Sequence, residues 1–294
     1  MEGARRLRCA PRPGAVLLAV VLMGLGRARA QDDRGFAAHP LWDDGKAELS
    51  LYDATLRRYG EERRFESRLI VVKEDFRRDQ RVKSEQGPGA GTFEVLKLNH
   101  LRVIPAGTVD DHEMLSVVLE RASLRPVKLV MSHFESCGST FVEILCDAGH
   151  LTHHSHSYWD GEGDRTLEIP FAAGDRLYDA LPLQLRGMDL EKGRSATFQA
   201  LPSQLSARVR DLKPVPMVLK GEGVSILEVP AGRFEVSGVE LSRPQGKDHY
   251  YFEAGFPFRL VKWETAEGGE YLLRKSLRID YWNHVASGDG TRLK

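Results

Sequence analysis

The sequence predicts an all-β protein of two similar antiparallel meander halves, arranged as a sandwich or a half-open barrel, with one short connecting helix. Three observations predict it. Apolar and polar residues alternate at a period of two through most of the chain. Clusters of Gly, Pro and Asp separate the alternating runs, and three landmarks of one half recur in the same order in the other.

The chain opens on a segment of a different kind. Residues 1–30 read as a cleavable signal peptide: Arg5, Arg6, Arg8 and Arg12 precede an apolar run from Ala15 to Leu25, and Ala28-Arg29-Ala30 forms an A-x-A cleavage site. The apolar run falls short of the roughly 20 residues that a membrane span needs, and Gln31 stands where a lipoprotein would carry its cysteine. The expectation is a periplasmic or extracellular protein, soluble, not lipid-anchored, with no membrane span after cleavage. The whole chain has 42 basic and 42 acidic residues; loss of six arginines and one glutamate with residues 1–30 leaves 36 against 41. That mild, evenly spread acidity speaks against nucleic acid as a partner.

A polar lead (31–38) precedes the first β half (39–170). In its first strand Ala47, Leu49 and Leu51 share one face and Lys46, Glu48 and Ser50 the other, the pattern of a half-buried strand. Similar runs follow at 65–73, 92–104, 114–121, 127–134, 141–146 and 150–159. Tyr59-Gly60, Gly87-Pro88-Gly89, Pro105-Ala106-Gly107 and Asp147-Ala148-Gly149 supply the turns. The connector (171–193) carries the helix, with Asp175 as N-cap, Leu177, Ala180 and Leu181 at helical spacing, and Pro182 as its stop. The second β half (194–284) has runs at 224–229, 234–241, 258–264 and 271–281. The last places Tyr271, Leu273, Leu277, Ile279 and Tyr281 on one face. A polar tail (285–294) closes the chain.

The halves read as an internal duplication. Ile104-Pro105-Ala106-Gly107 has its counterpart in Val229-Pro230-Ala231-Gly232, Pro126-Val127-Lys128-Leu129-Val130 in Pro257-Phe258-Arg259-Leu260-Val261, and Tyr158-Trp159 in Tyr281-Trp282. On these residues, together with Trp42-Asp43-Asp44-Gly45-Lys46 and Arg58-Tyr59-Gly60-Glu61, the chain resembles exported β-rich proteins of unknown function from the Gram-negative envelope, in which a Pro-Ala-Gly-x-Phe hairpin precedes a Pro-led strand. The resemblance implies compartment and fold. By a more distant analogy with curved-sheet lipid and lipoprotein carriers, it also implies an apolar ligand.

Few residues carry chemistry. Five of the ten histidines fall between His133 and His156, and on a strand His150, His154 and His156 would share one face. The His154-Ser155-His156 spacing, with Glu143 from the preceding strand, suits zinc, and Asp160-Gly161-Glu162-Gly163-Asp164 is a second metal candidate, for calcium. Both have a plainer reading as the polar outer face of a hairpin and an acidic loop, so no cofactor is expected. Trp42, Trp159, Trp263 and Trp282 stand at strand ends or opposite the apolar rows, where they would line a ligand groove. Cys137 and Cys146 are separated by a strand that would hold their Cα atoms beyond the roughly 7 Å of a disulfide. The sequence lacks G-x-S-x-G, a phosphate-cradling loop and H-E-x-x-H. The functional expectation is a non-enzymatic exported protein that binds an apolar or envelope-derived ligand or an envelope partner. The alternatives are a metal-dependent hydrolase at the histidine-rich strand and an interaction module without a small ligand.

Overall fold

A computed structural model describes residues 34–209 and 212–290. The expected signal peptide therefore lies outside the described residues. The first half supplies β1 (Ala47–Arg58), β2 (Glu61–Arg77), β3 (Val82–Lys83), β4 (Thr92–Pro105), β5 (Asp110–Glu120), β6 (Pro126–Glu135), β7 (Gly138–Cys146), β8 (Gly149–Ser157) and β9 (Asp164–Phe171). The connector holds β10 (Arg176–Leu177) and α1 (Leu181–Gln184). The second half supplies β11 (Ser195–Leu201), β12 (Val215–Val229), β13 (Gly232–Arg243), β14 (Gly246–Glu253), β15 (Leu260–Glu264) and β16 (Glu270–Ile279). The protein is all-β, as its alternation predicts.

The two halves continue into one open sheet. Its order is β10-β11-β12-β13-β14-β15-β16-β1-β2-β4-β5-β6-β7-β8-β9, with the short β3 beside β2. The seam is the antiparallel pair β1–β16, in register from Ala47–Ile279 to Thr55–Glu270. The sheet bends: the rings of His100 on β4 and Trp263 on β15 stand 5.9 Å apart although four strand spacings separate them, a separation of about 19 Å in a flat sheet. The concave face so formed holds the main core, into which Phe36, Trp42 and the connector's Leu181, Leu183 and Leu185 also pack.

Two strands depart from their sequence pattern. β1 is buried on both faces over its first half rather than half-buried. Ala47 and Leu49 pack with Ile70 and Val72 on the convex side, while Glu48, Ser50 and Tyr52 face the concave side, also buried. The polar-looking face is tolerated inside because Glu48 meets an arginine there. In β16 the expected single apolar row is split. Arg274 is an extra residue opposite the Leu51/Tyr52 step, and this β-bulge reverses the alternation. Tyr271 and Leu273 therefore face the concave core, whereas Leu277 and Ile279 pair with Leu49 and Ala47 on the other side.

The landmarks of the expected duplication bracket five strands in each half. The Pro-Ala-Gly turns join β4 to β5 and β12 to β13, and the aromatic pairs follow β8 and β16. The middle landmark is offset by one strand, since Pro126 opens β6 directly after β5, whereas Pro257 precedes β15 with β14 intervening.

Candidate ligand cleft

The connector builds the site. Almost every residue from Arg176 to Leu190 is buried, the polar Arg176, Gln184 and Arg186 included, so its polar side chains need partners inside the protein. The helix is one turn, Leu181–Gln184, and Pro182 lies in that first turn rather than ending it, a place where its missing N–H leaves no bond unmade. Asp175 does not cap this helix; its Oδ2 accepts from the Ala172 amide at 2.7 Å. Three anchors hold the connector on the concave face. Arg186 donates to both oxygens of Glu48 at 2.8 Å, with both side chains nearly solvent-free, and adds a bond to the Pro257 carbonyl at 2.8 Å. Gln184 donates to the Leu124 carbonyl at 2.8 Å. The Gly193 amide donates to the Gly221 carbonyl at 3.0 Å, and the Gly221 amide to that of Arg194 at 2.9 Å.

Gly221 is required by that last contact. A Cβ there would stand 2.2 Å from the Glu191 carbonyl oxygen, so only glycine lets the connector's backbone lie directly on β12. At the same point β12 carries a bulge: Gly221 pairs with Val239 and Gly223 with Gly238, leaving Glu222 as the extra residue.

Beside this contact, between the connector and β12–β14, opens a cleft of about 330 Å³. Leu185, Met188, Leu190, Val239 and Phe252 are its buried apolar lining. Arg34, Asp189, Glu191 and Lys192 are its charged members and Ser237 its small polar one. The Arg34 guanidinium lies 3.4 Å over the Phe258 ring and donates to the Ala254 carbonyl at 3.2 Å. Burial lowers its pKa, and Asp189 opposes the shift. Apolar walls with a few charged groups on the rim are the composition of a small-molecule site.

The opposite end of the concave face carries a charged network. Glu113 accepts from Arg58 at 3.0 Å, Arg102 at 2.7 Å and the His133 ring at 3.1 Å. Burial pushes its carboxyl up, but Arg102, His133 and Arg58 outweigh that and hold it well below the usual carboxylate range. Arg102 also donates to the Tyr271 hydroxyl at 2.8 Å, and Arg58 meets Asp111 at 2.8 Å. These charges pair with one another and tie β1, β4, β5, β6 and β16 together across the bend.

The residues singled out by sequence lie elsewhere. Trp42 is buried and donates its indole N–H to the Phe36 carbonyl. Trp263 is buried between the stacked rings of Tyr250 and Tyr271. Trp159 lies under the Arg208 guanidinium, and Trp282 is half exposed beside Tyr281. The four thus stand in four separate places. Glu143, His154 and His156 do share a face, with Glu143 directly opposite His154, and line a shallow polar depression with Phe141 and Asp164. Each has its own partner: Glu143 pairs with Lys128 at 2.6 Å, His154 with Thr166 at 3.0 Å and His156 with Asp164 at 3.1 Å. His150 lies farther along β8, opposite Pro170. In the acidic loop Glu162 accepts from Ser157 at 2.6 Å and the Val209 amide at 3.1 Å. Cys137, exposed, and Cys146, partly buried, are both free thiols.

No protein-family model matches the chain, and no curated protein matches it. Among solved structures it is similar to one described as the crystal structure of a beta-barrel-like protein of domain of unknown function DUF1849 from Brucella abortus, at 8% sequence identity and a TM-score of 0.48, covering 80% of this chain and 98% of that one. Among the described residues no helix is long and apolar enough to cross a membrane.

Proposed function

We propose that the protein is a non-enzymatic binder of a small amphiphile, held in the cleft between the connector and β12–β14. The observation that carries this reading is the pairing, in one cleft, of a buried apolar lining with a charged rim: Met188, Leu190, Val239 and Phe252 beside Arg34 and Lys192, with Glu191 and with Asp189, which pairs with Arg194. An apolar chain lies along the former, and an anionic or hydrogen-bonding head meets Arg34, already fixed by Phe258 and the Ala254 carbonyl. A volume near 330 Å³ lies at the lower end of the range for small-molecule pockets, which selects a short or partly inserted chain. An envelope-derived amphiphile fits the export expected from residues 1–30.

The test uses 1-anilinonaphthalene-8-sulfonate, an anionic apolar probe, with medium-chain fatty acids as competitors. Binding is expected to be saturable, competitive and lost in Ser237→Trp, which fills the cleft. Arg34→Ala is expected to weaken the fatty acids and spare the corresponding alcohols. Probe binding that survives Ser237→Trp unchanged refutes the site.

A further inference from the structure

The same bulge in β12 that seats the connector on one side of the sheet assembles a group of metal-ligating side chains on the other. Glu222, Glu240 and His249, from the adjacent strands β12, β13 and β14, each bring one donor atom to within 4.8 Å of the others. From these positions we infer a divalent transition-metal site on the convex face of the second half, with Glu222, Glu240 and His249 as its protein ligands.

The backbone makes this convergence. Glu240 and His249 are direct cross-strand partners, but a third ligand on β12 in regular register would be Lys220, which stands opposite Glu240. The bulge instead inserts Glu222 between Gly221 and Gly223. Its carboxylate reaches across residue 238, which has no side chain to block it: a Cβ at Gly238 would stand 3.1 Å from Glu222 Oε2. At the centre of the group, His249 Nδ1 is sealed from solvent and has no hydrogen-bond partner; the nearest acceptor, Glu222 Oε2, is 3.5 Å away. A buried polar atom without a partner is a cost that a bound group removes.

The chemistry selects the ion class. Two carboxylates and one imidazole are a borderline-hard donor set, suited to Zn²⁺, Mn²⁺ or Fe²⁺ rather than to the thiolate-preferring ions or to Ca²⁺, which takes oxygen alone. Around a tetrahedral ion the ligand atoms stand about 3.4 Å apart; His249 Nδ1 and Glu222 Oε2 are already at 3.5 Å, and no pair of donor atoms has to close from beyond 4.8 Å. One competitor is already present. Lys247 Nζ lies 2.9 Å from Glu240 Oε2 on a largely exposed side chain, while Ser242 holds the other oxygen at 3.1 Å. The lysine must be displaced, and an exposed ion pair of this kind is weakly held.

Untagged protein, stripped with chelator, is titrated with Zn²⁺ and followed by calorimetry and native mass spectrometry. The expected result is stoichiometric binding that Glu222→Gln and His249→Ala each weaken by at least about tenfold and that His154→Ala/His156→Ala leaves unchanged. Lys247→Ala is expected to tighten binding up to about fivefold, a gain that no merely structural role for the cluster predicts. Thermal melts of the metal-free variants confirm that they are folded. No stoichiometric Zn²⁺, or binding that follows His154 and His156 instead, overturns the assignment. Because the cleft probe reads the other face of β12–β14, its failure and the failure of this site are separate results.

Discussion

Glu48 and Arg186 form the buried pair that fastens the connector to the centre of the sheet, and the cost of breaking it can be worked from its surroundings. Both side chains are nearly solvent-free, and they meet in two parallel bonds of 2.8 Å. Glu48→Gln preserves shape but leaves a guanidinium inside the protein without its counter-charge, a change of about 3–5 kcal/mol. Arg186 keeps its bonds to the Pro257 carbonyl and its place over the Phe36 ring, 4.6 Å from the centroid. The expected loss therefore lies at the lower end, about 3 kcal/mol, or roughly 6 °C in Tm for a chain of this size. The double change Glu48→Leu/Arg186→Met removes both charges and needs no counter-ion, so it is expected to cost only about 1–2 kcal/mol. Urea unfolding followed by tryptophan fluorescence and far-UV circular dichroism measures both differences. The reasoning is refuted if the single variant loses less than about 1 kcal/mol, or if the double variant costs as much as the single one or more.

Further outcomes follow from other residues. Gly221→Ala puts a methyl group against the Glu191 carbonyl and is expected to cost at least about 2 kcal/mol and to abolish probe binding, measured in the same unfolding and displacement assays. Burial lowers the His100 pKa to about 3, with Arg102 adding to the effect. As pH falls from about 6.5 the unfolded chain takes a proton that the folded one refuses, which destabilises the fold by up to about 5 kcal/mol by pH 3. Glu113, held below its ordinary value, adds loss in the same direction once pH passes below the usual carboxylate range. A His100→Gln variant should show a shallower slope of stability against pH between 6.5 and 4, and an unchanged slope would remove the assignment. Burial pushes the Cys146 thiol up to about 12. Iodoacetamide at neutral pH is thus expected to label exposed Cys137 and spare Cys146, as peptide mass mapping would show.

The legible parts of the molecule are those that local rules govern. Period-two alternation and Gly/Pro turns mark most of the long strands, though not β9, β11 or β14, because each strand and hairpin is decided within a dozen residues. Phase is a different matter. Arg274 looks like any exposed strand residue, yet as a bulge it reverses which residues of β16 meet the core. Glu48 reads as solvent-facing because its partner, Arg186, lies 138 residues away, and no spacing rule connects them. The tryptophans mislead for a related reason: a large aromatic at a strand end looks available until the bend of the sheet encloses it, as it does Trp263. One signal was present and local. Gly221-Glu222-Gly223 sets a lone acid between two residues of free backbone inside an alternating run, the mark of a bulge or a close approach, and here it is both. The histidine cluster drew attention by number, while the convergent group draws one residue from each of three strands and has no signature in the linear order.

The seam between β1 and β16 orders the assembly of the sheet in time. The two outermost strands, β9 and β10, are neighbours in the chain, whereas the two at the middle are the first and last long strands. A polypeptide emerging from its amino end, whether from a ribosome or through a translocation pore, can zip β1 to β9 as a meander, but must leave one side of β1 open until β16 arrives. The centre is therefore the latest part to close and the one with the longest loop to close over, the circumstance that slows folding. Until then β1 offers an unpaired edge with an unneutralised Glu48 on its concave side, and charge at an exposed edge discourages pairing with the wrong strand. A circular permutant opened between Phe171 and Arg176, with the present ends linked, would run through the long strands in spatial order and should fold faster to the same sheet.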